Sequence, residues 1–249
     1  MLRSLWVTAL LLVVACGSNS SKSGYATGEA IPKWDEIDFL KIPLDETDPN
    51  AKVATTRNFY FIFDGSGSMS DPLDEDCVGQ TNFPTKLAGA QWAVTEFLAK
   101  VPEDINIGLL VFDNNGARES VPLGQGNREA FRAAIDRVRA GNRTPLAASI
   151  RSATERLVAQ YQKQLGYGEY RIVVVTDGLA NGIPAASEYA MSYGIPIYAI
   201  GLCIQQNHPL RKYAVSYRAA DSFDDLAKGL EETLAELPAF DVQSFDESP

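Results

Sequence analysis

Phe59-Tyr60-Phe61-Ile62-Phe63-Asp64-Gly65-Ser66-Gly67-Ser68-Met69 runs an unbroken series of aromatic and β-branched residues into an acid, two glycines and two serines. Such a run, with no polar residue from 59 to 63, is the pattern of a strand buried on both faces. Asp64 then stands at the strand's carboxyl end, and in open parallel sheets ligands bind in the crevice outside those ends. An extended continuation sends residues 64, 66 and 68 to one side, while Gly65 and Gly67 let the backbone curl around a small ion. Carboxylate and hydroxyl oxygens are the donors that a hard cation such as Mg²⁺ prefers.

A second segment of the same kind is Arg171-Ile172-Val173-Val174-Val175-Thr176-Asp177-Gly178, again a buried strand that ends in an acid and a glycine. Between the two, Arg143-Thr144-Pro145-Leu146 places a hydroxyl just before a helix whose apolar residues are Leu146, Ile150, Ala153, Leu157, Val158, Tyr161 and Leu165. That spacing is helical, and Pro145 suits a first helical position. Apolar periodicity also predicts helices over 86–100, 127–138, 184–193 and 221–237, the second capped by Asn127. Further buried strands are expected over 105–112 and 195–202. Strand alternating with helix is the signature of an α/β fold with a parallel sheet.

The set Asp64, Ser66, Ser68, Thr144 and Asp177, in this order and on these elements, resembles the metal-ion-dependent adhesion site of the von Willebrand factor type A family. The resemblance runs from about residue 57 to about residue 237. It implies an open, mostly parallel, doubly wound sheet of Rossmann-like architecture, with six strands and one short antiparallel edge strand, here 119–123. It also implies one divalent ion, Mg²⁺ or Mn²⁺, with Ser66, Ser68 and Thr144 as neutral ligands and with Asp64 and Asp177 acting mostly through bound waters. Few direct anions leave such an ion electrophilic, and the open octahedral position takes an aspartate or glutamate from a partner protein. The resemblance thus points to a protein-binding module and not an enzyme.

The start of the chain carries a different signal. Met1-Leu2-Arg3 is a short basic region, and residues 5–15 form an apolar run too brief to span a bilayer. The run ends Val13-Val14-Ala15-Cys16, which resembles a bacterial lipoprotein box with lipid on Cys16. Gly17 follows where an aspartate would favour retention at the inner membrane, so the resemblance points to an outer-membrane anchor in the cell envelope, facing the periplasm or the surface. Residues 1–15 are then a signal peptide and 16–30 a lipidated cysteine with a polar tether spanning about 20 Å. Residues 31–56 form an N-terminal extension, 57–237 the folded domain and 238–249 an acidic tail. Cys77 follows the first motif and Cys203 follows the strand ending near Leu202, which puts both at one edge of the sheet. The expectation is a Cys77–Cys203 disulfide, with two free thiols as the alternative.

With 249 residues, 45% of them hydrophobic, the chain can bury one good core but not two. Its formal charge of −10 argues against nucleic acid as a partner. Asp71, Asp74, Glu75 and Asp76 crowd the loop after the first motif, where either a second ion, Ca²⁺, or a plain solvated acidic loop is expected. His208 is the sole histidine, which leaves zinc chemistry little to work with, and no histidine is expected near the ion. A phosphatase of the haloacid dehalogenase type would need an aspartate where Ser66 stands. A serine hydrolase would need Gly-x-Ser-x-Gly and a histidine partner. The remaining alternative is a scaffold subunit of an envelope complex with a structural metal.

Overall fold

Strand β1 (Arg57–Asp64) is stable in the middle of a sheet because its side chains find an apolar layer on either side. Phe59, Phe61 and Phe63 enter one layer, and Tyr60 and Ile62 the other. In the computed structural model, which describes residues 37–44, 48–72, 83–202, 208–220 and 222–234, β1 is flanked by parallel neighbours. β2 (Asn106–Asp113) sets Phe112 opposite Asp64, and β4 (Glu169–Thr176) sets Val175 opposite Phe63. Beyond β4 come β5 (Ile197–Leu202) and β6 (Ser216–Ala220), both parallel. β3 (Gly116–Gly124) lies antiparallel on β2 at the other edge, giving a six-stranded sheet in the order β3-β2-β1-β4-β5-β6.

Helices α1 (Lys86–Leu98), α2 (Arg128–Asp136) and α5 (Phe223–Glu232) cover the Phe59–Phe61–Phe63 side. α3 (Leu146–Lys163) and α4 (Ile183–Ser192) cover the Tyr60–Ile62 side. This is the doubly wound α/β sheet with one antiparallel edge strand that the sequence predicts. From β1 the chain first builds toward β2 and β3, then crosses to β4 on β1's other side. The strand order therefore reverses between β1 and β4, and their carboxyl ends open a crevice there.

Several local expectations are corrected. Edge strand β3 spans nine residues, longer than 119–123. β6 went unrecognised in the sequence because only its last residue, Ala220, is buried, so it lacks a strong apolar signal. Asn127 does not cap α2 with its side chain; its amide instead donates to the Ile107 and Pro122 carbonyls, at 2.6 and 3.0 Å. Pro145 occupies the cap of α3, one residue before the first helical position. α3 ends at Lys163, and Leu165 turns out of it with a left-handed φ of 51°.

The described part of the N-terminal extension, residues 37–44 and 48–56, which no periodicity placed, lies at the opposite end of the sheet from the crevice. Leu40 N donates to Ser192 O at the end of α4 (2.7 Å), and Lys52 N to Lys163 O at the end of α3 (2.9 Å). The Gln162 amide adds a bond to Pro43 O at 3.1 Å. The signal and tether, Cys16, Cys77 and Cys203, Asp74, Glu75 and Asp76, and the tail, with the expectations placed on them, lie outside the described residues. Among the described residues no helix is long and apolar enough to cross a membrane.

Candidate metal centre

Asp64 closes β1 with its side chain fully buried, so its two oxygens need partners. Oδ1 accepts from the Ser66 backbone N–H at 2.8 Å, and Oδ2 from the Thr176 hydroxyl at 2.5 Å. Past Ser66 the chain does not stay extended as expected. It folds into a 3-10 turn, Gly67–Ser70, whose Met69 is wholly buried in the apolar layer. Met69 fastens the turn, and the turn, rather than a strand pleat, brings Ser68 Oγ to 3.2 Å from Ser66 Oγ.

Gly65 is needed for close packing, not for an unusual backbone angle. A methyl group there would lie 2.5 Å from Val138 Cγ1 and 3.0 Å from both Asp113 Cβ and Phe112 O. Gly67 is less constrained, its nearest neighbour being Asn142 O at 3.5 Å.

Two reciprocal backbone bonds tie this turn to the loop that carries Thr144. Gly141 N donates to Gly65 O at 3.0 Å, and Gly67 N donates to Asn142 O at 3.1 Å. Asn142 holds a left-handed φ of 62°, kept there by its amide bonds to Asp113 O (3.0 Å) and Asn114 O (2.8 Å). Asparagine tolerates that conformation better than most residues, a weak signal that the sequence reading did not use.

Asp177 arrives from the end of β4. Its Oδ1 accepts from Ser68 Oγ at 2.7 Å, which closes a chain Ser66–Ser68–Asp177 across the crevice. Its Oδ2 meets Lys86 Nζ at 3.0 Å, and the Asp177 side chain has no exposed surface. Gly178 sits between the remaining members. A point one methyl out from its Cα is 3.3 Å from Thr144 Oγ1 and 3.7 Å from Asp64 Oδ2. All five expected residues thus meet at the mouth between β1 and β4.

Burial pushes the Asp64 carboxyl above the usual carboxylate range, and the nearby Asp177 charge adds to this, against the pull of the Ser66 and Thr176 hydrogen bonds. Two buried acids beside three hydroxyls form an oxygen-only donor set that lacks positive charge, and the residue drawn in to supply some is a lysine. Hard donors, electrostatic demand and a resident ammonium all fit a hard divalent cation. Asp64, Ser66, Ser68, Thr144 and Asp177 are the residues that would hold it. Among the described residues no group of three or more His, Cys, Asp or Glu side chains forms a separate metal cluster, and Asp71 is exposed.

Three contributors escaped the sequence reading. Thr176 buttresses Asp64, Lys86 answers Asp177, and His208 lies against the Asp177 turn, contrary to the expectation that no histidine would be near. His208 Nδ1 accepts from Leu210 N at 3.1 Å, so Nε2 carries the proton and donates to Gly178 O at 2.9 Å. The imidazole is 2% exposed and stacks on Tyr217. With both nitrogens committed it supports the turn and is not placed to shuttle protons.

Burial holds the His208 pKa below its ordinary 6.5, with the Gly178 bond pulling back only in part. The unfolded chain therefore takes up this proton more readily than the folded one. The neutral ring's contribution is full above about pH 6.5 and is lost as pH falls below it. Melting temperature should drop between pH 7 and pH 5.5, and His208→Gln, though less stable at pH 7, should show a smaller drop over that interval.

Residues 59–179, which include all five site residues, match the model of the von Willebrand factor type A domain family. No curated protein matches the chain. Among solved structures, a von Willebrand factor type A protein from Catenulispora acidiphila superposes with a TM-score of 0.54 at 18% identity, covering 72% of this chain and 42% of its own. An aerotolerance-related membrane protein from Bacteroides fragilis gives 0.52 at 18% identity, covering 70% of this chain and 96% of its own. The PilB minor pilin of Streptococcus sanguinis, as a D319A mutant, gives 0.55 at 16% identity, covering 75% and 62%. At these identities the likeness is one of fold.

Proposed function

We propose that this chain is a metal-ion-dependent protein-binding module of the bacterial cell envelope, anchored through lipid on Cys16, which captures a partner's carboxylate at a Mg²⁺- or Mn²⁺-type ion. The observation that carries this reading is the convergence of Asp64, Ser66, Ser68, Thr144 and Asp177 on one crevice, with Lys86 as the cation on Asp177. When bound, the ion supplies a Lewis-acidic position for an incoming oxygen ligand. The chain's own residues fix its place. The Asp64 and Asp177 charges offset the ion's charge, and the three hydroxyls leave it short of strong direct donors.

The position of the extension agrees with this role. Residues 37–44 and 48–56 pack at the end of the domain remote from the crevice, which leaves the crevice free for a partner. Catalysis has little support. Ser66 Oγ has Ser68 as its polar neighbour, and the histidine that comes near has both nitrogens engaged.

The test is capture of an envelope or extracellular protein by the immobilised full chain. Capture should vanish with EDTA, return with Mg²⁺, and be lost in Thr144→Ala and Asp177→Ala. Capture that survives both chelation and these substitutions would move the docking surface elsewhere and leave a scaffold subunit with a structural metal. Metal-dependent hydrolysis of a phosphoester, lost in Asp64→Asn, would make the chain an enzyme.

A further inference from the structure

Lys86 breaks a local rule. It is the first residue of α1, where the positive end of the helix dipole and the unpaired N–H groups disfavour a cation, and no acid in the first turn offsets it. The segment is firmly held all the same. Thr85 caps the helix by accepting from Ala88 N, and Lys86 N donates to Asp71 O at 3.2 Å. What the side chain gains for its poor position is Asp177, at 3.0 Å, in a place where the lysine is 17% exposed and the carboxylate not at all. Rules broken without a local gain are most often broken for a site.

We propose that Lys86 is a built-in competitor of the divalent ion: its ammonium holds the metal-free site together and lowers the site's affinity for metal. This rests on the ion reading proposed above. Asp177 has two oxygens, one engaged by Ser68 and one by Lys86. An ion that draws on Asp177, directly or through water, must share Oδ2 with the ammonium or displace it. While the ammonium stays, its charge opposes the ion's at close range. Without it, Asp64 and Asp177 form a buried pair of like charges in the metal-free chain. A lysine suits both states, because its flexible stem and remaining exposure let the ammonium swing toward solvent when an ion enters. The site so built stays folded without metal and fills only when the free ion is abundant.

The experiment measures Mn²⁺ binding to the full chain by electron paramagnetic resonance of free Mn²⁺, with Mg²⁺ competition, and melting in EDTA and in excess Mn²⁺. It compares wild type, Lys86→Met, Lys86→Gln and Asp64→Asn. Lys86→Met keeps the stem and removes the charge. It should bind Mn²⁺ about tenfold tighter or more, melt lower than wild type in EDTA, and gain more in melting temperature from Mn²⁺. Binding by Lys86→Met alone, with none by wild type, supports the proposal equally. Lys86→Gln should show the same signs and serves if the Met variant does not fold. Equal or weaker Mn²⁺ binding in the neutral variants, with wild type binding and Asp64→Asn not, overturns the competitor role and leaves the ion reading standing. Absence of binding in every form, or binding indifferent to Asp64→Asn, removes the ion reading and this inference with it.

Discussion

Phe61→Ala should destabilise the domain by about 3–5 kcal/mol. Phe61 is 2% exposed in the central strand, between Leu109 of β2 and Val173 of β4. Its ring lies 5.5 Å from that of Phe97 in α1 and 5.3 Å, edge to face, from that of Phe131 in α2. Truncation leaves a void that strand and helices on three sides hold open, because none can collapse without disturbing its own sheet or helix contacts. Native domains hold only about 5–15 kcal/mol in reserve, so the loss is a large fraction of the total. For a domain of this size it corresponds to a fall of roughly 10 °C in melting temperature, read by calorimetry or circular dichroism. A fall of only a degree or two would mean that the two helices close onto the strand.

The same physics explains which parts of the molecule the sequence made legible. β1 and β4 are buried on both faces, so apolar character had to be continuous in them and showed as such. Asp64 stood out because it follows such a run immediately, and Asp177 because only Thr176 separates it from one. Thr144 was visible for its place before a long amphipathic helix. β6 is an edge strand with one buried residue and gave no comparable pattern. The residues that finish the site were hidden for another reason. Lys86, Thr176 and His208 act through bonds to residues 91, 112 and 30 positions away, and nothing in local composition announces a partner at that separation. Asn127 is instructive in the opposite sense. Its place before a helix satisfied the capping rule, yet its amide serves the β2 and β3 carbonyls, a tertiary demand that overrode the local one.

Asp64→Asn should remove metal binding while leaving the metal-free domain as stable as wild type or more so. Removing a buried group usually costs stability, and here Asp64→Ala would do so by leaving the Ser66 N–H and the Thr176 hydroxyl without their acceptor, at about 1–3 kcal/mol. Asparagine avoids this. Its carbonyl oxygen can still accept from Ser66 N, and its amide can donate to Thr176 Oγ1, whose hydroxyl then turns to Gly178 O, already 3.4 Å away. The charge that burial disfavours in the metal-free chain is gone, together with its repulsion from Asp177. An ion, however, loses one of the two negative charges that draw it in. Wild type should gain about 2.7 kcal/mol of stability when Mg²⁺ is raised to a hundred times its dissociation constant, and Asp64→Asn should gain essentially none. Paired melts in EDTA and in Mg²⁺ read both halves of this result. A variant that melts well below wild type in EDTA would show that Asp64 is chiefly structural, and a variant that still gains from Mg²⁺ would place the ion on other residues. A rise or no change in EDTA, with the Mg²⁺ gain abolished, is the behaviour of a carboxylate kept for binding at a cost to the fold.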